Sequence, residues 1–293
     1  MSEMNGVLPI DKPVGPTSHD AVAMTRRGLK TRQVGHTGTL DPFASGLLLV
    51  CVGPATRLAE YLTALPKTYV GTIRLGASTD TDDLTGTVVS ESDGWKALTE
   101  DEVRAALARQ VGTIEQVPPA YSAKKVDGER MYAIARRGGE VERKPSTVTI
   151  HRIGIVSFDL PDVTVEVECG SGTYIRAIAR DVGEALGVGG HLTALRRTRV
   201  GVHSVDRAVP IDQLGDAERV AAALISPADA VSHLPKVPVD ERGRAELGFG
   251  RALPAPADAP EGQPLAFVSA DDGALLAIGE RFGDVVRPRK VFV

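Results

Sequence analysis

Between Gly35 and Gly46 the chain reads Gly-His-Thr-Gly-Thr-Leu-Asp-Pro-Phe-Ala-Ser-Gly, and Leu47-Leu48-Leu49-Val50-Cys51-Val52 follows without a break. A continuous apolar run of this length reads as a buried strand. The three glycines of the preceding segment let the backbone turn sharply and approach a ligand with no Cβ in the way. Pro42 biases Asp41 toward an extended conformation, so its carboxylate belongs to a defined loop and not to a helix. A lone carboxylate is thus expected at the lip of the core. The same residues also suit an ordinary Gly/Pro turn whose Asp bonds its own backbone.

The 293 residues suffice for one large domain and a small one. Neither end reads as a secretory signal and no apolar run approaches the ~18 residues of a membrane helix, so the expectation is a cytoplasmic protein without a membrane partner. Cys51 and Cys169 lie in apolar strand-like segments without CxxC or CxxH spacing, which argues for reduced core thiols and against disulfide or zinc. The net charge of −4 speaks against a uniformly basic nucleic-acid binder, yet the cations are clustered. Arg26, Arg27, Lys30 and Arg32 stand together with no acid between Ala21 and Leu40, eight Lys/Arg oppose four Asp/Glu between Lys124 and Arg152, and four arginines oppose one acid between His191 and Arg207. One such cluster is usually a solvated face; three favour a polyanionic substrate.

Along the chain, Val7–Pro13 reads as a short strand entering a Pro/Gly turn, and Ser18 as the cap of a helix over about His19–Leu29. Ala55–Leu65 reads as a helix stopped by Pro66, and Thr68–Gly76 as a strand with Tyr69 at its start. Ser78–Asp83 is acidic, but its acids lack the alternate spacing of a calcium loop, and an EF-hand is rejected. Thr87–Glu91 reads as a strand, and Thr99-Glu100-Asp101-Glu102 as a capping box opening a helix. Ala120–Ser146, with Tyr121, Tyr132 and many cations, reads as a projecting arm with a short helix near Arg130–Arg137. Thr147–Phe158 and Val163–Cys169 read as strands, Tyr174–Leu186 as a helix, and Leu192–Arg199 with Val200–Val205 as strand. Ala217–Leu224 reads as a further helix. A composition change near Ser232–Val239 marks a second unit, with a hairpin of Leu265–Ser269 and Ala274–Ile278 about Asp271-Asp272-Gly273 and a last strand at Lys290–Val293.

No Walker A loop, GxSxG elbow, HExxH or zinc-type cysteine cluster is present. One loop carboxylate, several arginines and tyrosines at element starts remain. They suit an ionised Asp acting as nucleophile or base, held by an Arg, with an aromatic ring to stack on a planar ligand. Val7–Pro13, Gly35–Gly46, Lys67-Thr68-Tyr69, Arg74-Leu75-Gly76 with Thr79–Asp82, Pro119–Lys124 and Gly172-Thr173-Tyr174-Ile175-Arg176 occur in this order. Together they resemble the bacterial tRNA pseudouridine synthase B (TruB) family, from about Val7 to Arg199 and more weakly beyond.

The resemblance implies an α/β fold with a mixed, largely antiparallel central sheet flanked by helices. It also implies a division at residues 1–234 for catalysis, with an RNA-clasping insertion at about 120–152, and 235–293 for a small β-rich, PUA-like C-terminal domain. It implies isomerisation of uridine 55 in the tRNA T loop, by breaking the N-glycosidic bond and rejoining the base through C5 after the base has flipped out. No metal or redox cofactor is implied, and the partner is the T stem-loop of tRNA, bound by a monomer. By the same resemblance Asp41 is the nucleophile, at C1′ of the ribose or C6 of the base. Tyr69 stacks on the base, Arg176 pairs with Asp41, and His36 fills the space the nucleotide vacates. Lys12, Tyr174 and Leu195 line the pocket. Read from residue type alone, Tyr69 also suits plain packing, Arg176 a surface ion pair and His36 a loop hydrogen bond. Two rival functions use the same residues: a non-catalytic RNA-binding module, and a base-releasing glycosidase. The second needs two carboxyls about 5 Å apart, whereas one acid has the right setting.

Overall fold

The computed structural model describes residues 4–120, 125–126, 129–130 and 143–293. Tyr121, Tyr132 and, from residue 131 on, the helix expected near Arg130–Arg137 lie outside the described residues. The large sheet is built from β1 (Gly6–Lys12), β2 (Val34–His36), β3 (Ser45–Val52), β4 (Lys67–Leu75), β7 (Gly112–Gln116), β10 (Ser146–Asp159), β11 (Asp162–Cys169), β12 (Gly190–Val200), β13 (His203–Ser204) and β14 (Val209–Pro210). Two small ladders lie apart from it, β5 (Ala77–Thr79) with β6 (Val88–Glu91), and β8 (Lys125–Val126) with β9 (Glu129–Arg130). Its order is β14-β1-β3-β12-β4-β11-β10-β7, with β2 added on β3 and β13 on β12. Along this path β14–β1 and β3–β12 are parallel and the other pairs antiparallel. The fold is the mixed, largely antiparallel α/β arrangement expected.

β3 explains why its sequence is apolar throughout. Leu47, Leu49 and Cys51 point into one core with Leu58, Leu62 and Val200, while Leu48, Val50 and Val52 point into another with Leu8, Ile10, Ala21 and Val22. Each side chain from Leu47 to Val52 is fully buried, and each such aliphatic burial contributes on the order of 1.5–3 kcal/mol. Helix α1 (Ser18–Gly28) covers the second core. A third core lies between the β4–β11 region, α3 (Glu100–Ala108) and α4 (Ile175–Ala185).

Three boundaries differ from expectation for identifiable reasons. Thr17, not Ser18, caps α1, in a reciprocal box with Asp20; Ser18 is buried and its hydroxyl bonds both backbone groups of Leu40. The helix expected at Ala55–Leu65 begins as a 3-10 turn, Gly53–Leu58, opened by Pro54, and only α2 (Ala59–Thr63) is α-helical. The last strand, β19 (Val285–Val291), starts earlier than Lys290, and its Pro288 is accommodated beside a register shift opposite Gly279.

Helices α5 (Ala217–Ala223) and α6 (Pro227–Ala230) lead to a five-stranded C-terminal sheet. It contains β15 (Lys236–Val239), β16 (Leu253–Pro254), β17 (Pro264–Ser269), β18 (Leu275–Phe282) and β19, with α7 (Glu241–Gly248) against it. Ala266, Val268, Leu275 and Ile278 of this sheet join the Leu47–Leu49–Cys51 core, so the small unit is packed on the large one. Arg57 donates to the Val291 carbonyl and lies over Phe292, and Lys290 pairs with Glu60.

The parallel junction of β3 with β12 spans two pairs, Ser45 with Arg196 and Gly46 with Arg197. A Cβ on Gly46 would stand 2.2 Å from the Arg197 carbonyl oxygen, and its φ is +104°. Gly112 has a similar φ of +107° with open space around it. Gly46→Ala is therefore expected to lower the unfolding free energy by about 3 kcal/mol or more, because backbone must move. Gly112→Ala should lose only the conformational part, about 1–2 kcal/mol. Denaturant titration of both variants tests the difference.

Candidate active site

The loop between β2 and β3 is held from several directions. Ser18 of α1 donates to the Leu40 carbonyl at 3.1 Å and accepts from its N–H at 2.8 Å. Gly15 N–H donates to the Pro42 carbonyl at 2.8 Å, and Ala44 N–H closes a turn onto Asp41 O at 3.1 Å. Gly38 takes a φ of +126°. The loop backbone is thus committed before any ligand arrives, and Asp41 is held at its tip.

Asp41 Oδ2 lies 3.0 Å from Arg176 Nε. The guanidinium is buried at the start of α4, and its Nη1 also reaches Asp83 Oδ2 at 3.2 Å and the Thr81 carbonyl at 2.9 Å. One cation is therefore clamped between two carboxylates from different loops. Asp83 is buried and accepts from Thr81 and Thr85, which fixes it in turn. One turn further along α4, Arg180 binds Asp82 at 3.0 Å and the Val117 carbonyl at 2.9 Å. The acidic segment that superficially resembled a calcium loop is the socket for two arginines of α4.

Asp41 has 36% of its side chain open to solvent, on the pocket side, with protein around the rest. Burial pushes its carboxyl above the usual range and Asp83 adds to the rise; Arg176 and Lys12 pull it back without cancelling it. Arg176 thus acts in the expected direction, but its second partner and the desolvation outweigh it.

A cavity of about 220 Å³ opens beside this pair, lined among others by Asp41, Lys67, Tyr69, Tyr174, Arg176, Leu195 and Arg197. Strand register produces the wall: Tyr69 of β4 is paired with Arg197 of β12, and Gly71 with Leu195. Period-two alternation puts Lys67 on the same face as Tyr69. The Tyr69 ring is buried, and burial raises its phenol above the ordinary value. Tyr174 caps the start of α4, its backbone held by Gln116 in both directions.

Five of the seven candidate residues meet here: Asp41, Tyr69, Arg176, Tyr174 and Leu195. The other two do not line the cavity. His36 sits at the end of β2, its Nδ1 accepting the Gly38 N–H at 3.3 Å and its ring edge-to-face with His19 at 5.4 Å. Lys12 is fully buried, donating to the Pro13 and Pro16 carbonyls at 2.8 and 2.9 Å, and burial lowers it to about 8. Four further residues of the site receive no role from the sequence. Asp83 and Asp82 are the arginine sockets, and Lys67 and Arg197 are buried cations of the cavity wall. Arg197 donates to the Leu47 carbonyl at 2.7 Å and the Gly38 carbonyl at 3.2 Å. Lys67 donates to the Thr63 carbonyl and is lowered by burial to about 8. Lys67 stands two residues before Tyr69, and that spacing is a signal the alternation of β4 would have given.

The model of the TruB family pseudouridylate synthase N-terminal domain matches residues 26–175, more than half of the chain. The chain belongs to the TruB family of pseudouridylate synthases. The model of the tRNA pseudouridylate synthase B C-terminal domain matches residues 176–232. A tRNA pseudouridine synthase B of Arthrobacter sp. (strain FB24) is 47% identical over 302 residues, covering 99% of this chain and 97% of that protein. One of Burkholderia mallei (strain NCTC 10247) is 45% identical over 297 residues, covering 99% and 97%. Among solved structures, a chain of an H/ACA RNP bound to a substrate RNA containing 2′-deoxyuridine aligns with a TM-score of 0.76 at 27% identity, over 98% of this chain and 85% of that one. This TruB-family chain is accordingly an enzyme, an isomerase that converts uridine to pseudouridine.

The ionised form of Asp41 is the one that could attack or accept a proton, so with Asp41 as the reacting group activity should rise with pH as it deprotonates. Because its carboxyl lies above the usual range, the rising limb of kcat/KM should lie above the ordinary Asp value of ~3.9. Asp83→Asn removes a negative neighbour and frees Arg176 for Asp41, and the limb should move to lower pH. A limb that moves upward or stays in place contradicts the clamp.

Proposed function

We propose that this TruB-family enzyme isomerises uridine 55 in the T loop of tRNA, with Asp41 as the nucleophilic carboxylate and the target base flipped into the cavity beside it. The observation that carries the reading is the 3.0 Å contact between Asp41 and a buried Arg176 at the edge of a cavity walled by Tyr69. Asp41 attacks C1′ of the ribose, forming an ester as the base leaves, or C6, forming an adduct on the base. The Asp41–carbon bond breaks again before product leaves, the carboxylate being displaced as C5 bonds C1′ or eliminated from C6. The N1–C1′ bond breaks, the base turns, a C5–C1′ bond forms, and the C5 proton leaves as N1 gains one. Atoms balance without an added reactant.

The remaining roles follow from position. Arg176 anchors the Asp41 carboxylate, and Tyr69 offers its ring to the pyrimidine, with stacking of roughly 1–3 kcal/mol per base. Tyr174 and Leu195 close the walls. His36, outside the cavity and fixed by the Gly38 N–H, is suited to occupy the space left by an extruded nucleotide. Extrusion costs a few kcal/mol, offset by the stacking and by pocket contacts. Lys12 acts from beneath, on the backbone that carries the site. Exposed Arg27, Lys30 and Arg32 give phosphate contacts that position the stem without reading its sequence. Residues 1–234 form the catalytic domain, with the stretch 120–152 clasping the RNA arm, and 235–293 form a PUA-like unit. The enzyme acts as a monomer in the cytoplasm. No helix among the described residues is long and apolar enough to cross a membrane.

Asp41→Asn keeps the shape and removes the charge. It should reduce pseudouridine formation in a T stem-loop RNA by at least ~10⁴-fold while leaving RNA affinity within about threefold. Carbodiimide mapping of treated tRNA reports both product and position. Full activity of the variant, or a product at another uridine, would refute the assignment, and release of free uracil would favour a base-releasing glycosidase.

A further inference from the structure

The segment from Pro13 to His19 lies alongside the catalytic loop and is tied to it at three points. Gly15 N–H donates to the Pro42 carbonyl at 2.8 Å, the Ser18 hydroxyl bonds both backbone groups of Leu40, and the His19 ring meets His36 edge-to-face at 5.4 Å. None of the residues from Pro13 to Thr17 is buried, and Val14 at the tip of the turn is 64% exposed.

Beneath this turn lies Lys12, with no carboxylate of the described residues within ion-pair distance. Its ammonium is used on two backbone carbonyls, Pro13 O and Pro16 O. A fully buried lysine is an expensive way to fix a turn, because desolvating the charge costs several kcal/mol unless closely paired. The turn it fixes leaves Val14 mostly exposed. Rigidity has therefore been given to a stretch whose side chains face outward, next to a loop whose carboxylate faces the cavity. The acid that follows the strip, Asp20, accepts from Thr17 N–H and Oγ at 2.9 and 2.7 Å and is committed to the helix cap.

The chemistry offered outward is an apolar tip, two proline rings and an imidazole: Val14, Pro13, Pro42 and His19 are all exposed. Flat and apolar groups on a rigid support suit unstacked nucleobases and riboses, which single-stranded RNA loops present. Apolar wedges are also the common means by which proteins hold an opened stack.

The geometry points to the Pro13–His19 strip as a second substrate-contacting surface, on which Val14 and His19 hold the RNA nucleotides flanking the extruded uridine. The inference rests on the RNA reading of the cavity beside it. It adds a contact that the cavity residues do not supply: they take the target base, and the strip takes its neighbours.

The test uses the full-length protein and a T stem-loop RNA. Val14→Asp and His19→Asp put a negative charge against the phosphate backbone, so KM should rise about tenfold with kcat within twofold. Val14→Ala should raise KM about threefold. Val202 is 73% exposed in the turn after β12, and Val202→Asp is the matched control, expected to leave KM unchanged. The unfolding temperatures of all four variants should match the parent, since each site is exposed. RNA affinity is measured separately in an Asp41→Asn background, so that contact is scored without turnover. Unchanged KM and affinity for both Val14→Asp and His19→Asp overturn the strip, as does an equal loss in Val202→Asp. If the parent binds this RNA but forms no pseudouridine, the functional reading fails while the affinity series still decides the strip. If the parent does not bind it, both fail.

Discussion

The site depends on one guanidinium held between two carboxylates. Arg176 is buried, and a buried cation is tolerated only when its hydrogen-bonding directions are met; Asp41, Asp83 and the Thr81 carbonyl meet them. The same contact fixes the Asp41 loop against α4 and against the 79–83 loop, three segments distant in sequence. Because Arg176 is shared, Asp41 is held in place without being fully neutralised, and burial keeps its proton affinity high. A carboxylate that is oriented yet not over-stabilised is a stronger nucleophile or base than one locked in a private ion pair.

The sheet makes that arrangement possible. β3 carries the loop and β12 carries Leu195 and Arg197, and the two strands pair only at Ser45–Gly46 with Arg196–Arg197. Gly46 lets the backbones approach to a distance that no side chain permits. β4, antiparallel to β12, then sets Tyr69 opposite Arg197. The cavity is thus the meeting place of a short parallel junction, a hairpin loop and a helix start. The C-terminal sheet covers the other face of β3 and stiffens the strand from behind.

Much of this was legible in the chain. The apolar run Leu47–Val52 reads as a buried strand, the alternation of Val163, Val165 and Val167 reads as a strand, and Thr99 with Glu102 forms the expected box. Asp41, Tyr69 and Arg176 were found because their residue types and spellings matched a family pattern, and the fold brings them together. What stayed hidden was pairing between distant segments. Asp82 and Asp83 look like solvated acids until α4 is laid over them. Arg197 looks like one more surface cation until its strand register turns it inward, and Lys12 looks like a pocket residue until its ammonium is seen on the backbone. Local chemistry misled at Ser18 as well, where two adjacent hydroxyls competed for one cap and the tertiary contact with Leu40 took the second.

The central claim is electrostatic: Arg176 lowers the proton affinity of Asp41, and burial with Asp83 raises it further than Arg176 can lower it. Carbon-detected NMR titration of the Asp41 side-chain carboxyl, in the parent and in Arg176→Met, reads this directly. The account predicts a midpoint above the usual carboxylate range in the parent and a higher one in the variant, which loses the opposing charge. An ordinary midpoint in the parent, left unmoved by Arg176→Met, would contradict it.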